Sequence, residues 1–332
     1  MNKLIAKVLT CWILDKQKRK EVRRALRGEY QQNNDNIIGY LHYAKIKSGL
    51  QRYINPDKFN FVLQDGLGDT LMCLCYADAF AKKNGADVFF FIRPSHEFIF
   101  KSLGKHNYIV VDAMERRNFY YGLDINLFST PKIGDLFFAH PRLTPMSFSQ
   151  SDKKEHYDFS DFWGDFLGLQ TSLLQKQKVK PLPEMVTAAE EFMKLHNLRA
   201  EKTILISPEE CGYKSVRAKM FADLARTLSK KGFTVISNVC VSKNKIPGTV
   251  EFSGKFELCM ALANMCRVVI SVRSGLCDMI YEKGKNLYIL YQTKKDFDFY
   301  SVNKIFDRND VNEYMFSDDS IVKKITESIC AL

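Results

Sequence analysis

Three short segments hold residue types whose spacing could do chemistry. The first is Gln64-Asp65-Gly66-Leu67-Gly68-Asp69-Thr70. Two glycines make a sharp turn and let a ligand approach the backbone. Asp69 then falls at a helix start, where its carboxylate could act as general base on a hydroxyl or simply cap the helix. The third glycine of G-x-G-x-x-G is absent, and an Asp after the second would repel a phosphate, so this is not a dinucleotide fingerprint. The second segment is Ser207-Pro208-Glu209-Glu210-Cys211-Gly212-Tyr213-Lys214. Lys214 could reach a phosphate as a point charge, or lie solvated on the surface. The third is Val268-Val269-Ile270-Ser271-Val272-Arg273-Ser274-Gly275-Leu276-Cys277-Asp278. A buried strand runs into Ser-Gly and a helix, so the amides of Ser274, Gly275 and Leu276 could hold an anion. An Arg directly after a buried strand needs a partner. Arg273 could fork a diphosphate or pair internally with Asp278, which itself could be a helix-start acid or a ligand group.

Two further features carry weaker signals. His140 follows a strand and is a possible acceptor contact, while the other five histidines are isolated. Asp296-Phe297-Asp298 spells a carboxylate spacing that can hold a metal, but it follows the last sheet strand in a charged tail and reads as surface loop.

These loops need elements to position them. Short apolar runs are predicted as strands at 59–64, 87–92, 108–112, 135–139, 203–207, 233–238, 268–272 and 286–291. Helical stretches are predicted at 69–83, 95–103, 220–231, 256–265, 276–282 and 317–331, with Asp318 and Asp319 suited to the positive end of the last. The apolar runs are continuous rather than alternating, which implies parallel sheets covered on both faces. Residues 140–157 are polar and 163–169 aromatic, and the prolines near 181–183 suit an interdomain linker.

The chain has 332 residues, 46% hydrophobic and 26% charged, which suits two α/β domains and excludes wholesale disorder. No apolar run approaches the roughly 18 residues that span a bilayer. Net charge is +11, and residues 1–30 hold nine Lys/Arg against three Asp/Glu, so the other 302 residues carry only +5. Basic residues are not interleaved with aromatics on the domains, which argues against a nucleic-acid partner. In the N-terminal segment Leu4, Ile5, Val8, Leu9, Trp12 and Ile13 form one apolar face, with Lys3 and Lys7 opposite and a basic run to Arg27. Dense charge after the apolar stretch, with no cleavage site, does not fit a signal peptide. It fits a helix lying on an anionic membrane surface through residues 1–27, or one packed on the body of the protein. The nine cysteines (Cys11, Cys73, Cys75, Cys211, Cys240, Cys259, Cys266, Cys277 and Cys330) lack zinc-ribbon pairing, and Cys73-x-Cys75 reads as helix core. Reduced, buried thiols point to the cytoplasm.

The G-L-G-D turn, followed in the second half by strand–Ser-Gly–helix, resembles the GT-B glycosyltransferases. Bacterial heptosyltransferases and related lipopolysaccharide or capsule sugar transferases are the nearest in pattern, over about residues 58–292. The resemblance implies an α/β fold of two Rossmann-like domains facing a cleft. Residues 1–30 would be the membrane-surface helix, 31–55 a connector and 56–175 the acceptor domain. Residues 176–185 would be a linker, 186–316 the nucleotide-sugar domain and 317–332 a final helix. Asp69 matches the family's base, with Gly66, Gly68 and His140 on the acceptor side. Lys214 matches its phosphate-binding lysine, followed by Phe221-Ala222-Asp223-Leu224. The family's Asp-Ser/Thr-Gly-x-x-His is here Arg273-Ser274-Gly275-Leu276-Cys277-Asp278, with Arg for Asp and Asp for His. The implied reaction is inverting, metal-independent sugar transfer from a nucleotide sugar to a glycolipid or surface polysaccharide, with no cofactor, on the inner face of the plasma membrane. The alternatives are a nucleotide-sugar epimerase of the same fold or a non-catalytic glycan- or nucleotide-binding relative.

Overall fold

The computed structural model describes residues 48–63, 66–111, 131–139, 157–208, 218–239, 245–318 and 320–332. The N-terminal basic segment, His140, Lys214 and Asp319 lie outside the described residues. The chain forms two compact units. One takes the chain up to Asp65, Ala86–Pro94 and Asn107–Arg142; the other takes Gly66–Gly85, Ser95–His106 and Leu143–Leu332.

The first unit is a four-stranded sheet of β1 (Phe59–Leu63), β2 (Val88–Ile92), β3 (Asn107–Val110) and β4 (Leu136–Phe138). All pairings are parallel, in the order β3-β2-β1-β4. Alternate residues take opposite faces. Val62, Phe91, Leu136 and Phe138 pack with Leu50 in one cluster. Phe61 meets Phe90 edge-on at 6.1 Å and Phe137 at 5.3 Å. Asn60 is the polar residue in this central strand and is fully buried. Its amide donates to the carbonyls of Asn55 (2.8 Å) and Lys58 (2.9 Å), and its Oδ1 accepts from the Asn55 N–H. A satisfied amide removes the penalty of burying it.

In the second unit, the helices in chain order are α1 (Leu67–Asn84), α2 (Glu97–Leu103), α3 (Phe159–Leu167), α4 (Pro183–Leu195), α5 (Ala218–Lys230) and α6 (Phe256–Met265). They continue as α7 (Gly275–Ile280), α8 (Lys294–Tyr300), α9 (Val302–Ile305) and α10 (Ile321–Cys330). Its six-stranded parallel sheet comprises β5 (Thr203–Ser207), β6 (Thr234–Asn238), β7 (Val250–Phe252), β8 (Val268–Val272), β9 (Leu287–Tyr291) and β10 (Asn312–Met315). The order is β10-β9-β8-β5-β6-β7. Counted from β5, that is the 3-2-1-4-5-6 order of a Rossmann sheet, and the four-stranded sheet repeats its 3-2-1-4 portion. Phe221, Leu224, Ala225 and Leu228 of α5 and Ile321, Ile325 and Ile329 of α10 bury against Ile204, Ile206, Ile270, Tyr288 and Leu290. Those helical positions recur at three- and four-residue steps, so each helix presents one apolar face.

The structure adds elements that the sequence reading lacks. α4 begins at Pro183, where proline suits the first helical position, inside the expected linker. β7 and β10 are three- and four-residue edge strands interrupted by Glu251 and Glu313. Residues 296–298 lie in α8 and not in a loop. Cys73 and Cys75 are buried in α1, and burial pushes both thiols up, Cys75 to about 12.

Candidate functional site

The site is built around two helix starts in the second unit. α1 begins two residues earlier than predicted, with Gly66 as its extended N-cap. The Thr70 N–H donates to the Gly66 carbonyl at 3.1 Å and closes the first turn. Asp69 lies in that turn, half-buried, and its carboxylate folds back over Gly66. A β-carbon on Gly66 would sit 2.7 Å from Asp69 Oδ2.

Ser274 is the extended N-cap of α7. A β-carbon on Gly275 would lie 3.1 Å from the Gly68 nitrogen and 3.4 Å from Leu67 Cβ; one on Gly68 would lie 2.6 Å from Asp278 Oδ2. The two helix starts therefore abut at their glycines. Gly66, Gly68 and Gly275 give room to the protein's own groups, where the sequence reading expected the turn glycines to admit a ligand.

Arg273 is buried. Its Nη2 donates to Asp278 Oδ1 at 2.7 Å, and its Nη1 to Asp278 Oδ2 at 3.0 Å and to the Ser274 carbonyl at 2.7 Å. Its Nε donates to the Tyr300 carbonyl at 2.8 Å. The fork that the sequence offered to a diphosphate thus lies on Asp278, and the carboxylate offered as a donor contact lies on Arg273. The bidentate, charge-assisted geometry engages both groups with each other, the internal alternative the sequence left open. Burial works against the guanidinium charge, but Asp278 overrides it and holds the Arg273 pKa above its ordinary value. The same Tyr300 carbonyl accepts from Tyr291 Oη at 3.2 Å. Glu313 accepts from Tyr291 Oη, from the Val302 N–H (2.7 Å) and from Ser301 Oγ (2.7 Å). Burial pushes the Tyr291 hydroxyl well up, so it remains a donor. Arg273 is thereby tied to the α8–α9 junction.

A second polar contact beside Asp69 was missed in the sequence. Thr70 Oγ1 and His96 Nδ1 are 2.9 Å apart, both buried. Their separation of 26 residues carries no spacing signal; only the adjacency of β1 and β2 in the sheet order suggests that the loops after them meet.

At the carboxyl end of the six-stranded sheet, the order reverses between β5 and β8, where ligands bind in such sheets. Ser207 and Ser271 are register partners there. Asn238 Nδ2 donates to Ser207 Oγ at 3.1 Å and Ser271 Oγ to the Val272 carbonyl at 2.7 Å, so this edge is polar. Lys214 belongs to the loop after β5, outside the described residues. In α8 Asp296 caps back to the Thr293 N–H at 3.1 Å, and Asp298 pairs with Lys294 at 2.6 Å. Among the described residues no three His, Cys, Asp or Glu gather as a metal set, and no helix is long and apolar enough to cross a membrane.

No family model matches the chain, and no curated protein matches it in sequence. Solved structures do. A glycosyl transferase family 9 protein from Veillonella parvula aligns at 17% identity and TM-score 0.53, covering 82% of this chain and 91% of its own. The E. coli ADP-heptose lipopolysaccharide heptosyltransferase II aligns at 11% identity and TM-score 0.55, covering 82% of this chain and 98% of its own. A UDP-GlcNAc 2-epimerase from Methanocaldococcus jannaschii aligns less well, at 8% identity and TM-score 0.41, over 82% of this chain and 92% of its own. The fold of this chain is that of the GT-B glycosyltransferases, with two parallel Rossmann-like sheets.

Proposed function

We propose that the chain is a glycosyltransferase that moves a sugar from a nucleotide-sugar donor to a hydroxyl of a glycolipid or surface polysaccharide. One observation carries the reading. In a GT-B fold, the turn after β1 holds a half-buried carboxylate, Asp69, whose Oδ2 lies over Gly66 at the start of α1. Asp69 takes the proton of the acceptor hydroxyl. The acceptor oxygen attacks the anomeric carbon, the bond from that carbon to the diphosphate oxygen breaks, and the nucleoside diphosphate departs with the electron pair. Attack from one face by a single base inverts the anomeric centre. The diphosphate lies at the carboxyl edge between β5 and β8, met by Lys214 and the backbone at Ser274–Leu276, so its charge needs no metal. Arg273 and Asp278 act behind that backbone as its support. His140 stands on the acceptor side. Residues 1–27 rest on anionic lipid at the cytoplasmic face of the membrane, where a lipid-linked acceptor resides.

The test mixes the purified full-length chain with a panel of nucleotide sugars and a lipid-linked acceptor extract. Transfer that is lost in Asp69→Asn supports the reading, and transfer by that variant at the wild-type rate removes Asp69 from the chemistry. Conversion of a nucleotide sugar without acceptor would make the protein an epimerase. Binding without turnover across the panel would make it a binding relative.

A further inference from the structure

We propose that Thr70 and His96 are positioning residues for the Asp69 carboxylate, because together they fix the rotation of the first turn of α1. The inference rests on the reading of Asp69 as base and deepens it. Successive residues of a helix point about 100° apart. Gly68, Asp69 and Thr70 therefore project in three directions, and Asp69 lies between the other two. The flank at residue 68 is locked: a β-carbon there would meet Asp278 Oδ2 at 2.6 Å and the Gly275 Cα at 3.6 Å. The flank at residue 70 is locked by the hydrogen bond between Thr70 Oγ1 and His96 Nδ1, 2.9 Å long, with each residue 1% exposed. At that depth the contact is shielded from water, so breaking it costs a buried polar interaction. With both flanks held, the Asp69 direction is determined, and its carboxylate stays over Gly66.

His96 is itself anchored. It closes the turn Pro94–His96 after β2 and is the N-cap of α2. The loop after β2 thus braces the helix start after β1. Helix starts fray when such braces are lost, and a base displaced by about 1 Å can lose on the order of a hundredfold in rate.

Thr70→Val removes the hydroxyl and keeps the shape. A crystal structure of this variant should show the Asp69 carboxylate moved from its place over Gly66. A carboxylate that stays there overturns the proposal. With the donor–acceptor pair identified by the panel, Thr70→Val should lower kcat by about tenfold to a hundredfold with donor KM unchanged, and Thr70→Ser should restore it. In an Asp69→Asn background, Thr70→Val should cost no further activity, because the group it positions is gone. A lowered Tm with kcat unchanged would make the contact structural only and overturn the proposal. If Thr70→Val does not fold, Thr70→Ala, which removes the same hydroxyl with a smaller side chain, gives the same readouts. Should Asp69→Asn keep the wild-type rate, the base assignment falls, and the crystal structure still decides whether Thr70 holds the turn.

Discussion

After β1 the chain turns through Gly66, Leu67 and Gly68 into α1; after β8 it turns through Arg273, Ser274 and Gly275 into α7. Each turn follows a fully buried parallel strand, and each places an aspartate in the first turn of its helix. The two carboxylates then diverge. Asp278 is 4% exposed and held by both arms of Arg273, whereas Asp69 is half-buried and lies over a glycine. The Asp278 carboxylate is buried and occupied by the Arg273 fork, out of reach of a substrate hydroxyl, whereas part of Asp69 faces solvent. Position at a helix start thus does not decide what an aspartate does; its neighbours do.

The sharpest way to break this comparison is to neutralise each acid in turn. Asp69→Asn should lower transfer by about 10²–10⁴-fold, the usual share of a general base, with Tm nearly unchanged. Asp278→Asn should do the reverse, lowering Tm first. If both variants lose activity at equal stability, the two turns are equivalent and the distinction fails.

Removing the cation probes the second turn from the other side. Arg273→Met leaves Asp278 buried without its partner, which should destabilise the protein by about 3–5 kcal/mol in urea unfolding. Adding Asp278→Leu should recover most of the loss, because a pair replaced whole by apolar groups is often neutral. An Arg273→Met variant as stable as the wild type would mean that the fork does not hold the turn.

These pairings were partly legible in the sequence. The strands at 203–207 and 268–272 and the helix at 256–265 are read to the residue, because continuous apolar runs between turns have no competing interpretation. β7 and β10 were not, since three or four residues containing Glu251 or Glu313 do not form an apolar run. α4 was hidden because Pro181 and Pro183 look like a linker, although Pro183 starts the helix. Asp69 could be placed at a helix start, and Asp278 could be offered as a partner for Arg273, because both follow from local order. The contact of Thr70 with His96 could not, because it depends on which strands lie side by side. Nor could the role of the glycines: spacing marks a close approach without saying what approaches.

The glycines sharpen the comparison at smaller cost. Gly275→Ala meets backbone at 3.1 Å, and Gly68→Ala meets a carboxylate that Arg273 pins in place. Each should lose about 1–3 kcal/mol, the range for overpacking. Gly66→Ala meets only the carboxylate end of the Asp69 side chain. It should lower transfer with little change in Tm, because the carboxylate moves instead of the fold. Gly49→Ala, with nothing within 4 Å, is the control and should change neither. Equal Tm losses at 66 and 275 would contradict the different packing of the two turns.

The smallest effect is expected at a third acid near a helix start, which extends the comparison to a part-exposed carboxylate held by a lysine. Asp318 precedes α10 and accepts from Lys324 Nζ (2.6 Å), Ser320 Oγ (2.6 Å) and the Ser320 N–H (2.9 Å). The Lys324 bond, helped by those from Ser320, lowers its pKa from 3.8 to about 2. A folded pKa below the unfolded one means that the stabilisation is complete above the unfolded value and is lost as pH falls through the folded one. The difference in stability between wild type and Asp318→Asn should therefore be constant above about pH 4, shrink between about 4 and 2, and vanish below. Because the Asp318–Lys324 pair is in contact with solvent, the difference should also shrink with added salt, while the loss in Arg273→Met should not. An Asp318 effect as insensitive to salt as the Arg273 effect would show that exposure does not separate these acids, and with it the contrast between Asp69 and Asp278 would lose its physical basis.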